Sequence, residues 1–209
     1  HENDKRLKDE KGYVFCESLI PADQLEIIDT WNVSGMRGSG SHDVRVERVF
    51  VPDDFICRMQ TQTPTASGPL YQMPVYSRLA YNKVGVATGI AMNAITSFVE
   101  LATQKKPRGS ANLLRDRVEA QNAVADAQRI LGSARSYVFE RVTDLWDTVE
   151  KGAVPTDRQK ALLQLACSGA ANETVKAVEK LVSAAGVNAN FVANPLERCM
   201  RDILVVRQH

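Results

Sequence analysis

Apolar and polar positions change their period once along this 209-residue chain, near residue 60. Before that point the apolar stretches are short: Tyr13 to Phe15, Leu25 to Trp31 and Asp43 to Val51. In the last of these, Val44, Val46 and Val49 carry the apolar side while Arg45 and Glu47 alternate away, as a half-buried strand requires. These stretches predict antiparallel strands. Gly35, Gly38 and Gly40 lie between the second and third and predict a loop over 35–41. Residues 60–75 hold Pro64, Pro69 and Pro74 among Thr, Ser and Gly, so they read as a linker or extended loop.

Beyond the linker the spacing becomes helical. Tyr76 to Gln104 is rich in Ala and Gly, a composition suited to close contact with a neighbouring helix. From Asn112 to Lys151, Leu114, Val118, Leu131, Val138, Val142, Leu145 and Val149 recur at threes, fours and sevens, which predicts one continuous stripe on a helix of ~60 Å. Gly152 stops that helix. Thr156 and Gln159 have capping-box spacing and open a third helix, which closes near Gly186. Asn194 and Pro195 supply an N-cap and a first-turn proline for a last helix, Leu196 to His209. A strand-rich segment followed by four helices, able to pack as an antiparallel bundle, is the expected architecture.

Composition narrows the function classes. Hydrophobic residues make up 44% and charged residues 24%, ordinary for a globular chain. Lys plus Arg (26) nearly balances Asp plus Glu (25), so no global field attracts nucleic acid or an anionic membrane. No apolar run reaches the ~18 residues expected of a membrane span, and the charged N-terminus has no signal-peptide core. Cys16, Cys57, Cys167 and Cys199 form no CxxC pair, which points to a reducing cytoplasm. Histidines occur only at positions 1, 42 and 209, so no HExxH or other closed metal site is expected; GxSxG and P-loop motifs are missing as well. The basic run Lys105, Lys106, Arg108 reads either as a solvated connection or as a phosphate contact beside a helix N-terminus. Trp31 and Trp146 read as packing residues and His42 as a turn residue.

The run WNVSGMRGSGSHDVRVERVFVP, Trp31 to Pro52, resembles the acyl-CoA dehydrogenase superfamily where a barrel strand, a Gly-rich turn and a strand ending in Val-Pro follow one another. In collinear order, GVNANFVANPLERCMRD, Gly186 to Asp202, resembles that superfamily's C-terminal signature, and the Ala/Gly-rich first helix with Gln121 to Ala127 fits its first two bundle helices. The resemblance implies an α+β chain: a partial antiparallel β-barrel segment (1–59), a linker (60–75) and an all-α antiparallel four-helix bundle (76–209). It also implies a flavoprotein, FMN or FAD, with the flavin between barrel and bundle, and a homo-oligomer, a tetramer. Complete relatives have roughly twice this length, and the chain begins without Met, so it is expected to be the C-terminal portion of a longer protein.

The catalytic glutamate of the dehydrogenases has no counterpart here. No Asp or Glu lies between Asp54 and Glu100, and the C-terminal run is RDILVVRQH. That ending resembles the flavin-dependent monooxygenase branch, which includes reduced-flavin hydroxylases of phenols and steroid-derived phenols and the dibenzothiophene monooxygenase. The resemblance makes His209 the catalytic candidate: a neutral imidazole can take a proton from a phenol near neutral pH, or hydrogen-bond the oxygen adduct of the flavin. The competing reading of His209 is a frayed end or the first residue of a tag. Arg108, Gly186, Val187 and Asn188 are the cofactor-binding candidates, at the places that approach the flavin phosphate. Arg-x-x-Phe-Gly of the dehydrogenases is replaced by Pro107 to Ala111 here, which favours a diffusible reduced flavin supplied by a partner reductase. The expected function is hydroxylation of an aromatic or polycyclic small molecule with reduced flavin and oxygen. The alternatives are a dehydrogenase-like oxidoreductase acting on CH-CH groups with a relocated base, and a non-catalytic helical oligomerisation module.

Overall fold

A computed structural model describes residues 8–9, 12–58 and 62–208. It divides into two compact units: one holds the residues up to Asn32 together with Ser39–Ser67, the other Val33–Gly38 and Gly68 onward.

The first unit contains short antiparallel ladders. Strand β1 (Lys8–Asp9) pairs with β2 (Gly12–Tyr13); β3 (Glu17–Ser18) pairs with β6 (Ile56–Cys57); β4 (Glu26–Ile28) pairs with β5 (Asp43–Arg45), with Ile27 opposite Val44. The expected strand Asp43 to Val51 ends at Arg45, and Arg48 turns into the left-handed region at φ 54°, which extended pairing cannot follow. Half-burial of this strand is also corrected: Val44 is 55% exposed, because a two-stranded ladder has no second layer to cover it. Phe50 and Leu19 are exposed as well, around an apolar groove of about 450 Å³ completed by Pro21, Val51, Pro52 and Phe55.

Helices make up the second unit. Within the stretch read as a linker, Pro69–Gln72 form a helical turn (α1), and Met73 behind it is buried. Helix α2 spans Val75–Gln104, α3 Val118–Glu150, α4 Asp157–Ala185 and α5 Pro195–Val206. The second helix therefore starts later than Asn112. Asp116 Oδ2 accepts the Leu113 N–H at 3.0 Å and the Lys105 carbonyl accepts the Leu114 N–H at 2.8 Å, which holds Leu114–Asp116 as a 3₁₀ turn tied to the end of α2. Leu114 is buried by that turn, and Val118, expected on the apolar stripe, is exposed at the first helical position.

Gln159 bonds Asp144 and Thr148, and Lys180 bonds Asp126, so α3 and α4 run antiparallel. Gln164 donates to the Tyr76 carbonyl and Lys105 to the Ala185 carbonyl, so α2 and α4 run parallel. Two apolar clusters fill the spaces. One gathers Phe98, Ile130, Val178, Leu181, Leu196 and Ile203 from all four long helices; the other gathers Met73, Val84, Leu145, Val149 and Leu163. Small residues on α2, Ala87, Ala91 and Ala94, are fully buried and let the helices approach closely. The same helix corrects the expectation that no stretch reaches membrane-spanning apolarity: an 18-residue window of α2 has mean hydropathy 1.4, enough by length and composition. Ala87, Ala91, Ala94 and Phe98 on one face of it are buried against neighbouring helices, while Val86, Met92 and Val99 on the same helix are exposed. Trp146 is a rim residue rather than a core one.

Candidate functional site

Two places in the helical unit gather the residues that the sequence singles out. At the first, the loop after β4 docks on α5. The Met36 N–H donates to Asp202 Oδ1 at 2.6 Å, and Arg201 Nη1 donates to the Ser34 carbonyl at 2.7 Å. Arg201 is itself held by Glu197 one turn earlier, through Nε to Oε1 at 2.6 Å and Nη2 to Oε2 at 2.9 Å, a two-pronged pair. The Arg201 guanidinium keeps the Glu197 carboxyl below the usual carboxylate range, and Glu197 raises Arg201 in return. Gly35 is buried with its Cα against the Arg201 backbone, which leaves no room for a side chain. Met36 sits at φ 51° and its side chain packs on the core cluster shared by the four long helices.

At the second place, the α2–α3 connection meets the end of α4. Lys105 Nζ donates at 2.7 Å to the carbonyl of Ala185, one of the C-terminal carbonyls that α4 leaves without a helical partner. Gly186 follows at φ 64°, and Gly186–Asn190 form a 3₁₀ turn. Arg108 is exposed three residues after Lys105; Gly186 and Val187 are exposed and Asn188 is half-buried. The structure thus brings the Arg108 segment and the Gly186–Asn188 turn to one end of the helical unit.

A groove of about 790 Å³ adjoins this second place, between the first turns of α3 and the last of α4, lined by Leu114, Arg117, Ala120, Asp126, Lys180 and Ala184 among others. None of the flavin candidates lines it. Lys180 bonds Asp126 at 2.7 Å across it and holds that carboxyl below its ordinary range.

His209, the catalytic candidate, and His1 lie outside the described residues. His42 Nδ1 lies 3.2 Å from both the Trp31 backbone N–H and the Asp29 carboxylate, contacts that hold it within the strand-rich unit. Cys167 and Cys199 are buried in the helical unit, and Asn93 Nδ2 reaches Cys199 Sγ at 3.3 Å. Among the described residues no three His, Cys, Asp or Glu side chains gather as a metal site would need. What sequence reasoning missed is the docking of Ser34–Met36 on Arg201 and Asp202. Both segments drew attention as motifs, but they are 166 residues apart and no local spacing links them.

Comparison with known proteins adds the following. The family model described as acyl-CoA dehydrogenase, C-terminal domain, matches residues 82–209. An indole-3-acetate monooxygenase of Pseudomonas putida is 31% identical over 193 residues, covering 92% of this chain and 49% of that protein. The flavin-dependent monooxygenase oxygenase subunit HsaA of Rhodococcus jostii is 26% identical, covering 97% and 55%. The crystal structure of the HsaA monooxygenase from M. tuberculosis superposes with a TM-score of 0.83 at 25% identity, covering 97% of this chain and 53% of that one. The chain spans about half the length of the curated relatives it matches.

Proposed function

The chain belongs to the acyl-CoA dehydrogenase C-terminal-domain family, and from that premise we propose that the protein it forms part of is a flavin-dependent monooxygenase. It hydroxylates an aromatic or polycyclic small molecule with reduced flavin and oxygen. The observation that carries this reading is similarity over more than nine-tenths of the chain to proteins named as monooxygenases, with the fold shared by an HsaA monooxygenase. The lack of any Asp or Glu between Asp54 and Glu100, across the stretch that opens the first bundle helix, agrees with it. In this reading residues 1–59 are the end of a β-barrel, 60–75 a linker and 76–209 an antiparallel four-helix bundle that assembles the protein as a cytoplasmic homotetramer.

Arg108 and the Gly186, Val187 and Asn188 backbone hold the phosphate of FMN or FAD, supported by the way Lys105 joins their two segments. The bound reduced flavin supplies the electrons that activate oxygen, and a separate reductase supplies the flavin. His209 holds or takes the substrate hydroxyl proton at its imidazole nitrogen.

The test uses the intact protein, mixed anaerobically with reduced FMN or reduced FAD and a phenolic acceptor such as resorcinol, and then given oxygen. Hydroxylated product formed in proportion to oxygen consumed is the expected result. Reduction of bound flavin by an acyl-CoA without oxygen assigns it to the dehydrogenases instead. A stable oligomer that takes up neither flavin is an assembly module.

A further inference from the structure

A further groove of the helical unit, of about 290 Å³, runs between α2 and α3, and none of the flavin candidates lines it. Its floor is apolar: Ile95 of α2 and Leu131 of α3 both line it and are buried. Met92 walls it from α2 with a half-exposed side chain. Gly132 lines it from α3, and a Cβ there would meet nothing within 4 Å. Helix packing therefore does not require glycine in the middle of α3, and the backbone at that point is left bare.

The lining carries one charge, that of Arg135. Helix α2 has no charged residue from Val84 to Val99, and the residues three and four places from Arg135 on α3 are Leu131, Gly132, Val138 and Phe139. The other two arginines of α3 are neutralised, Arg129 by Asp126 and Arg141 by Glu140 and Asp144. Among the described residues no carboxylate pairs with Arg135. Its guanidinium lies 5.5 Å from the centroid of the Phe139 ring and its Nη1 4.0 Å from Met92 Sδ, a weak acceptor. A ring over the face of a guanidinium leaves the in-plane N–H donors for another partner.

We infer that this groove is a binding site for a compact aromatic monocarboxylate, with the carboxylate on Arg135 and the ring on Ile95, Leu131 and the bare backbone at Gly132. An inorganic anion would satisfy Arg135 but leave the apolar floor against water, and an uncharged arene would cover the floor but leave Arg135 unpaired; only a molecule with both parts answers both. Met92 adds a thioether beside the ring, a favourable neighbour for an arene. The volume is at the small end of ligand sites, which suits a single ring with a short acidic arm. The site is independent of the flavin-dependent reading, since it draws on no residue assigned to that chemistry.

The experiment titrates the intact protein with phenylacetate, with its uncharged isostere phenylacetamide and with inorganic phosphate, by calorimetry and by NMR of methyl-labelled methionine. Phenylacetate is expected to bind at least about tenfold more tightly than either of the others and to move the Met92 methyl signal, because it alone makes the charge-assisted bond and covers the floor. Arg135→Gln is expected to weaken phenylacetate by about tenfold or more and to change phenylacetamide by less than about twofold, since only the charged contact is removed. Gly132→Leu fills the groove without touching Arg135 and is expected to weaken both arenes by about tenfold or more; it decides the matter if Arg135→Gln does not fold. A parent protein that does not bind phenylacetate at ~10 mM overturns the inference, and so does phosphate or phenylacetamide bound as tightly as phenylacetate. Binding that leaves the Met92 signal in place, or that survives unchanged in folded Arg135→Gln or Gly132→Leu, lies at another site and overturns it as well.

Discussion

A Cβ placed on Gly35 would stand 2.1 Å from the carbonyl oxygen of Arg201, 166 residues away along the chain. Both partners at this contact are backbone, so no side chain can swing aside. Gly35→Ala should therefore destabilise the helical unit by an amount on the order of 3 kcal/mol, the upper part of the range for overpacking. Urea unfolding measures it. A change under about 0.5 kcal/mol, the range of an ordinary surface substitution, would mean that the turn lifts off α5 freely.

Leu163 and Leu165 are two residues apart on α4 and face opposite ways. Leu163 is fully buried in the cluster with Val84, Leu145 and Val149, whereas Leu165 is 62% exposed. Leu163→Ala should cost about 2–5 kcal/mol through lost burial and the cavity left behind. Leu165→Ala should stay within about 0.5 kcal/mol. Thermal denaturation of the two variants side by side checks the contrast.

Burial pushes the Cys167 thiol up to about 11, from an ordinary value of 9.0. A raised folded value favours the protonated form of the folded protein. Its contribution to stability is fully present below pH 9 and is lost as the pH rises from there through about 11. Unfolding midpoints should therefore fall over that window, and Cys167→Ser should reduce the fall. At neutral pH iodoacetamide should leave Cys167 and Cys199 unmodified in the folded chain and alkylate both after denaturation, as mass spectrometry of the peptides would show.

For the proposed chemistry the decisive residue is His209. In the intact enzyme His209→Ala should lower hydroxylation by about 10²-fold, the usual scale for loss of a general base, while reduced-flavin binding stays close to that of the parent. Steady-state product formation with reduced flavin supplied in excess measures it. Unchanged turnover would remove the imidazole from the mechanism.

The features that the sequence determines by itself are those made by neighbours in the chain. Thr156 and Gln159 do form a capping box, with Thr156 Oγ1 accepting the Gln159 N–H and the Gln159 side chain returning to the Thr156 N–H. Asn194 Oδ1 does cap the last helix by accepting the Leu196 N–H at 3.0 Å. Each contact spans two or three residues, so the spacing of residue types is enough to specify it. The resemblance of Trp31 to Pro52 and Gly186 to Asp202 to a known superfamily is likewise a property of the string.

Where distant residues compete, the string is silent. The stripe beginning at Leu114 gives no sign that the Lys105 carbonyl will capture the Leu114 amide and delay α3 to Val118. Alternation along Asp43 to Val51 does not reveal that Arg48 turns left-handed and ends the pairing early. Nor does any spacing announce that Asp202 will hold Met36, or that Lys105 will reach Ala185 and join the two segments proposed for the flavin phosphate. Helix and cap signals are written in the periodicity because their partners sit within one turn. The grip on the Ser34–Met36 turn and the meeting of Lys105 with Ala185 exist only once helix packing brings partners 80 to 167 residues apart within hydrogen-bond distance, and that packing was decided by the tertiary structure.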